Sequence, residues 1–229
     1  MSFKDSRVVS YFRARLGPFV IALAIIAAQI FIAEAVGFGG NSFTVLLPLV
    51  TAVFLLLSIF VYSDTHDRMK RWVRILLLAQ ITWLLGMNVI CMAWFVYDMF
   101  NPQTVTLAHQ LLLAGIALWV VNVGVFALAY WELDAGGPEA RNLGEPSIFR
   151  GKMHPDFVFP QQETSNDCFA AKDWQPGFTD YLYVSVTTAT SFAPAAATPY
   201  SRMSKMMLSS EALISFLTLG LIIARAISL

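Results

Sequence analysis

Four hydroxyls crowd together late in the chain: Thr187, Thr188, Thr190 and Ser191, within the stretch VSVTTATSFAPAAATPYSRMSK that runs from Val184 to Lys205. A row of side-chain and backbone oxygens can replace the water around a cation, so the chemistry such a row offers is binding and passage rather than bond making. Phe192 follows at once and would plug a constriction lined by those hydroxyls. Glu211, with Ser209 and Ser210 beside it and Ser215 one turn on, adds a carboxylate that would set a local cation preference or hydrogen-bond behind the row.

Four further polar side chains, Glu34, Gln80, Asn88 and Asn122, fall inside or near the ends of apolar runs. Polar and ionisable groups at such depth are costly and turn toward a protein interior or a watery cavity. As ordinary membrane residues, Gln80, Asn88 and Asn122 would serve as hydrogen-bonding glue between helices, worth about 0.6 kcal/mol each. Glu34 lies near a helix end and would reach the interface. Two mixed clusters, Asp64 with His66 and Asp67, and Glu132 with Asp134, His154 and Asp156, carry carboxylates that could hold a cation, but neither has a spacing that specifies one. No metal or other cofactor is expected. Nucleophile-elbow, P-loop, HExxH and dinucleotide fingerprints are absent, and an enzyme is not expected.

The elements that must position these groups are membrane helices. Of 229 residues 57% are hydrophobic and 13% charged, against about 25% charged in a soluble domain. Lysine plus arginine equals aspartate plus glutamate at 15 each, so no basic field calls for nucleic acid. Two cysteines give no disulfide framework, and Cys91 reads as a small buried apolar residue. A spanning helix needs about 20 mostly apolar residues. Runs of that kind cover roughly 18–37, 43–62, 75–100, 107–131 and 206–227. Ala33-Glu34-Ala35 resembles a signal-cleavage site, yet the first run has near full spanning length, so a retained helix is expected.

Lys4, Arg7, Arg13 and Arg15 precede the first run, and Arg68, Lys70, Arg71 and Arg74 lie in the second connection, whereas Phe38–Ser42 and Asn101–Thr106 carry no basic residue. Positive-inside logic therefore puts the N-terminus in the cytoplasm. Gly136, Gly137 and Pro138 stop the fourth helix. The following segment, with its acidic residues and its aromatic–proline patches DFVFP and DWQPGF, reads as a flap against the bundle, the patches suiting the membrane–water interface.

The stretch from Asp180 begins as a short helix capped by Asp180 at Tyr181, while SFAPAAAT reads as extended. Irregular backbone at membrane depth is tolerated where protein buries it or it lines a cavity. A re-entrant loop is favoured over a sixth full span, because re-entry keeps Arg202 and Lys205 cytoplasmic. The expected fold is an all-α integral membrane protein with five transmembrane helices and a re-entrant pore-like loop before the last. Residues 1–133 form a four-helix bundle, 134–176 a cytoplasmic flap, and 177–229 the loop and the final helix.

The last 50 or so residues resemble the pore unit of tetrameric potassium channels, over about a fifth of the chain. DYLYVSVTTATSF stands where the pore helix would be, Thr187-Thr188 where the filter's paired threonines would stand, Thr198-Pro199 where Thr-Pro follows the filter, and EALIS and ARAISL where the inner helix would run. A similar ending recurs in uncharacterised bacterial inner-membrane proteins. The glycines that let a potassium filter aim its carbonyls at the axis are replaced by Thr190 and Phe192, Ser191 stands for the tyrosine and Ala193 for the aspartate. Thr-Pro also lies about three residues further from Glu211 than in that family. The resemblance implies an oligomeric channel in a bacterial inner membrane, a tetramer in the lipid bilayer, without potassium-type selectivity. Because four spans precede it, the loop would enter from the cytoplasm, opposite to the family's habit. A transporter using the broken segment with Gln80, Asn88 or Asn122, and an interaction protein in which the hydroxyls only pack, are the other expectations.

Overall fold

In the computed structural model of the chain, the described residues are 3–35, 48–53, 67–100, 108–143, 154–163, 174–191 and 197–227. They are almost entirely helical. Helix α1 covers Phe3–Ala35, residues 48–53 are helical (α2), α3 covers Asp67–Phe100 and α4 Ala108–Leu133. A 3-10 turn at Asp134–Gly136 leads into the short α5, Pro138–Leu143. Strand β1 (Phe157–Val158), α6 (Pro160–Glu163), α7 (Phe178–Ser191), β2 (Thr198–Pro199) and α8 (Arg202–Ile227) follow.

Among the described residues three stretches are long and apolar enough to cross a membrane, Arg74–Phe100, Leu112–Gly136 and Arg202–Ala224, and α1 contains a shorter apolar stretch, Leu16–Ile32. Helices α1, α3 and α8 extend beyond the apolar runs at their N-terminal ends, by about four residues in α8 and more in the other two. The reason is that an apolar run marks bilayer depth, whereas a helix continues until its backbone donors find other partners. Asp67–Val73 and Phe3–Gly17 are such polar-flanked extensions.

Helix α4 is the hub. Every residue from Val121 to Glu132 is buried. Its neighbours α1, α3, α7 and α8 all run antiparallel to it, as the contacts require. Going down α3, Arg74 meets Glu132, Asn88 meets Asn122 and Phe95 meets Gly115. Going down α8, Glu211 meets Tyr130, Ser215 meets Asn122 and Ile222 meets Gly115. In α1, Gly17 lies against Phe178, whose ring packs edge-on against Trp131, and Ile21 and Ile25 lie against Gly124. In α7, Tyr181 meets Asp134 and Ser185 meets the Val123 carbonyl. Gly115 is what lets α3 and α8 approach together: a Cβ there would stand 2.7 Å from Ile222 Cγ1 and 3.0 Å from Phe95 Cζ, and small residues permit this proximity where packing drives association.

Helix α7 starts at Phe178, not at Tyr181: Gly177 is the cap, its N–H donating to Asp180 Oδ2 at 2.7 Å while the Asp180 N–H donates to Gly177 O at 3.1 Å. Asp180 therefore reaches back from the first turn, as in a capping box. Phe178 sits at the C-terminal end of α4. By Thr198 the chain is again at that end, because β2 pairs antiparallel with β1, Phe157 opposite Pro199 and Val158 opposite Thr198, and Phe157 packs on Tyr130 at 5.1 Å. Helix α7 thus points away from the Asp134 end, and the chain is back at that end when α8 begins. Residues 192–196, including Phe192, lie outside the described residues.

The candidate site: a carboxyl between α4, α7 and α8

The buried face of α8 is Ser204, Leu208, Glu211, Ser215 and Thr218, a 4-3-4-3 spacing with one apolar member. Its outward face carries Met206, Leu213, Phe216 and Ile223, all exposed. A helix that is polar inside and apolar outside has the polarity expected where the surroundings are apolar and interior hydrogen bonds hold helices together.

Glu211, 0% exposed, is the centre of this seam. Tyr130 from α4 donates its hydroxyl to Glu211 Oε2, and Ser185 Oγ from α7 lies in hydrogen-bonding contact with Oε1. Ser185 Oγ also stands 2.8 Å from the Val123 carbonyl oxygen. One turn on, Asn122 Nδ2 donates to Ser215 Oγ at 2.8 Å, and Asn88 Nδ2 donates to Asn122 Oδ1 at 2.5 Å. Thr218 donates to Ile214 O at 2.8 Å and lies 3.2 Å from Met92 Sδ. Asn88 and Asn122 are thus interhelical hydrogen-bonding groups joining α3, α4 and α8. Gln80 is buried on α3. Glu34 is exposed near the end of α1.

The row of hydroxyls behaves differently. Thr187 donates to Tyr183 O at 2.9 Å and lies 3.0 Å from Val184 O; Thr188 donates to Val184 O at 2.8 Å and Thr190 to Val186 O at 2.7 Å. This is the back-bonding habit of threonine in a helix, in which the hydroxyl finds its acceptor one turn earlier. Thr188 is wholly buried, Thr187 is half-buried, and Thr190 and Ser191 are exposed. The structure therefore places two hydrogen-bonded sets along one buried seam of α8, Glu211 with Ser185 and Tyr130, and Ser215 with Asn122 and Asn88, and leaves the Thr187–Thr190 hydroxyls outside it.

The C-terminal end of α4 holds a second cluster. Asp134 Oδ1 accepts the backbone N–H groups of Asp156 at 2.6 Å and Phe157 at 3.2 Å, and Oδ2 accepts the Tyr181 hydroxyl at 2.5 Å. Arg141 donates to the carbonyls of Asp134 at 2.7 Å and Trp131 at 3.0 Å, with its guanidinium carbon 5.1 Å from the Tyr181 ring centroid. Arg74 pairs with Glu132 at 2.7 Å and also donates to the Glu132 carbonyl. Two arginines thus meet the last carbonyls of α4, where the helix dipole favours cations. The turn that allows this has three successive positive φ values, Ala135 at 49°, Gly136 at 88° and Gly137 at 101°. At Gly137 a Cβ would stand 2.6 Å from Arg74 Nη1.

The carboxylates of the mixed cluster Glu132, Asp134, His154 and Asp156, which could hold a cation but have no spacing that specifies one, have other partners. Asp134 holds the backbone of β1, Glu132 is paired with Arg74, and His154 is exposed. Among the described residues no group of three or more potential ligands is placed to hold a metal. Asp64 and His66 lie outside the described residues. DFVFP faces inward rather than to an interface: Phe157 and Phe159 are both 2% exposed and pack edge-on against Tyr181. Sequence reasoning singled out Glu211 and missed Ser185, Tyr130, Tyr181, Arg141 and the pairing of Arg74. The arginine next to a helix stop was a readable signal for the C-terminal carbonyls; the Tyr130 and Ser185 contacts join residues 81 and 26 positions from Glu211 and leave no local trace.

An apolar cleft of about 190 Å³ opens between α1, α4 and α7, lined by Ile21, Ile25, Trp119, Gly124, Leu182 and Val186 among others. None of Gln80, Asn88 or Asn122 lines it. Compared with protein-family models, with curated proteins and with solved structures, the chain matches none.

Proposed function

We propose that this is a channel-like integral membrane protein with five spans and a re-entrant segment before the last, working as a homo-oligomer in a bacterial inner membrane with its N-terminus in the cytoplasm. One observation carries the reading. The chain enters α7 and is back at β2 at the same end of α4, with α8 starting there, which is the helix-in, chain-out plan of a pore loop backed by an inner helix.

The threonine geometry gives the path a polarity. Each back-bonded hydroxyl spends its single proton on its own helix and keeps acceptor lone pairs. Exposed on α7, Thr190, with the half-buried Thr187 beside it, would offer acceptors and no donors, which suits cations over anions. Copies meeting along the Tyr183, Val186 and Thr190 face would line the path. The filter geometry of potassium channels is not part of the proposal, since Thr190 and Phe192 stand in place of its glycines.

The test is flux from liposomes containing the purified protein, together with its mass in native mass spectrometry. Cation flux from an oligomer, reduced by Thr190→Val, is the expected result. No flux together with a monomer overturns the proposal and favours the second reading, an interaction protein whose hydroxyls are satisfied locally, as the back-bonding also permits. The transporter alternative gains nothing from the cleft, which is apolar and contains none of the midplane amides.

A further inference from the structure

The hydrogens around Glu211 can be counted. Three close oxygen–oxygen contacts meet there: Tyr130 hydroxyl to Oε2, Ser185 hydroxyl to Oε1, and Ser185 hydroxyl to the Val123 carbonyl. The carbonyl only accepts, and each hydroxyl owns one proton. With an ionised carboxylate, two protons serve three contacts, and either Val123 O or Glu211 Oε1 faces the serine oxygen with nothing between them. One more proton on Oε1 completes the set: Glu211 donates to Ser185, Ser185 donates to Val123 O, and Tyr130 donates to Oε2.

Burial argues the same way independently. Glu211 is 0% exposed, and among the described residues no lysine, arginine or histidine forms an ion pair with it. From α4, Tyr130 is the titratable group that faces it, while Glu132 and Asp134 are turned to Arg74 and Tyr181. From α7 it meets Ser185; Asp180 is held by the Gly177 amide, Tyr181 by Asp134, and Tyr183 is exposed. On α3 the member of the seam is the neutral Asn88, and Arg74 is paired with Glu132; on α8 itself Arg202 and Lys205 are exposed. An unpaired carboxylate in such a place is strongly disfavoured.

We infer that Glu211 is a proton-binding site that closes only when α4, α7 and α8 are assembled around it, and that the bound proton latches α7 to the other two helices. Loss of the proton leaves Ser185 one hydrogen for two acceptors, so one of the two ties from α7 opens. The inference goes beyond the channel reading and does not depend on conduction.

The test uses the full-length protein in lipid and two readouts. Infrared spectra of wild type minus Glu211→Gln should show a protonated-carboxyl band at neutral pH. Glutamine is the sharp variant, because its amide N–H₂ can donate to Ser185 and its oxygen can accept from Tyr130, reproducing the protonated pattern. Glu211→Gln should therefore keep the wild-type unfolding temperature at neutral pH and lose the fall that the wild type shows when the pH is raised, whereas Glu211→Ala should unfold at a lower temperature throughout. Absence of the band from the difference spectrum, or a Glu211→Gln variant as destabilised as Glu211→Ala, overturns the inference. The infrared measurement needs only wild type and the glutamine variant, so a poorly folding alanine variant does not blunt it.

Discussion

The two ends of the polar contacts along α4 are held by different chemistry. At the C-terminal end of α4, charged groups do the joining: Arg74 with Glu132, Arg141 with the last carbonyls, and Asp134 with two amides and Tyr181. Deeper in the bundle the joining groups are neutral, Asn88 to Asn122 to Ser215. Glu211 lies between the two and joins the neutral kind only if it carries a proton. The division follows from solvation: a full charge is tolerable where a partner and a helix terminus share it, and a neutral amide or hydroxyl suffices where water is far away.

That contrast can be broken at its charged end first. Arg74→Ala leaves Glu132 buried without its cation, and a loss of about 3 kcal/mol in unfolding free energy is expected in detergent. Adding Glu132→Gln should restore much of it, and a double-mutant cycle with no coupling would show that the pair contributes nothing. In the neutral region, Asn122→Ala removes two interhelical bonds and is expected to cost about 1 kcal/mol, measured by the same unfolding curves; a loss as large as that of Arg74→Ala would erase the distinction between the two ends. The smallest effect belongs to Thr188→Val, which keeps the shape and removes a bond to its own helix. A change within about 0.5 kcal/mol is expected, and a larger loss would mean that this hydroxyl has a partner across helices.

The long helices were legible because hydrophobic runs near spanning length leave few alternatives. Helices α3 and α8 contain the runs assigned to 75–100 and 206–227, and α4 contains the run assigned to 107–131 to within one residue at its start. What was not legible is contact between distant segments. Hydroxyls are densest at Thr187–Ser191, yet the three threonines there are satisfied inside one helix turn, and the hydroxyl that reaches α4 and α8 is the less conspicuous Ser185. A sequence counts donors; it does not say which are already spent. In the same way DFVFP reads as an aromatic–proline patch suited to the membrane–water interface, while Phe157 and Phe159 are buried and Phe157–Val158 pairs with Thr198–Pro199.

That two-residue pairing has a consequence in time. The ribosome makes α4, then β1, then α7, and β1 waits for a partner forty residues downstream. Until Thr198–Pro199 emerges, Phe157 has no strand beside it; until Glu211 emerges, Tyr130 and Ser185 lack the oxygen that joins them. Segments made early therefore remain open at their joints, and the start of α8 closes the strand clasp and then the carboxyl clasp in order. Helix α8, made after the segments it touches, completes the fold of those before it.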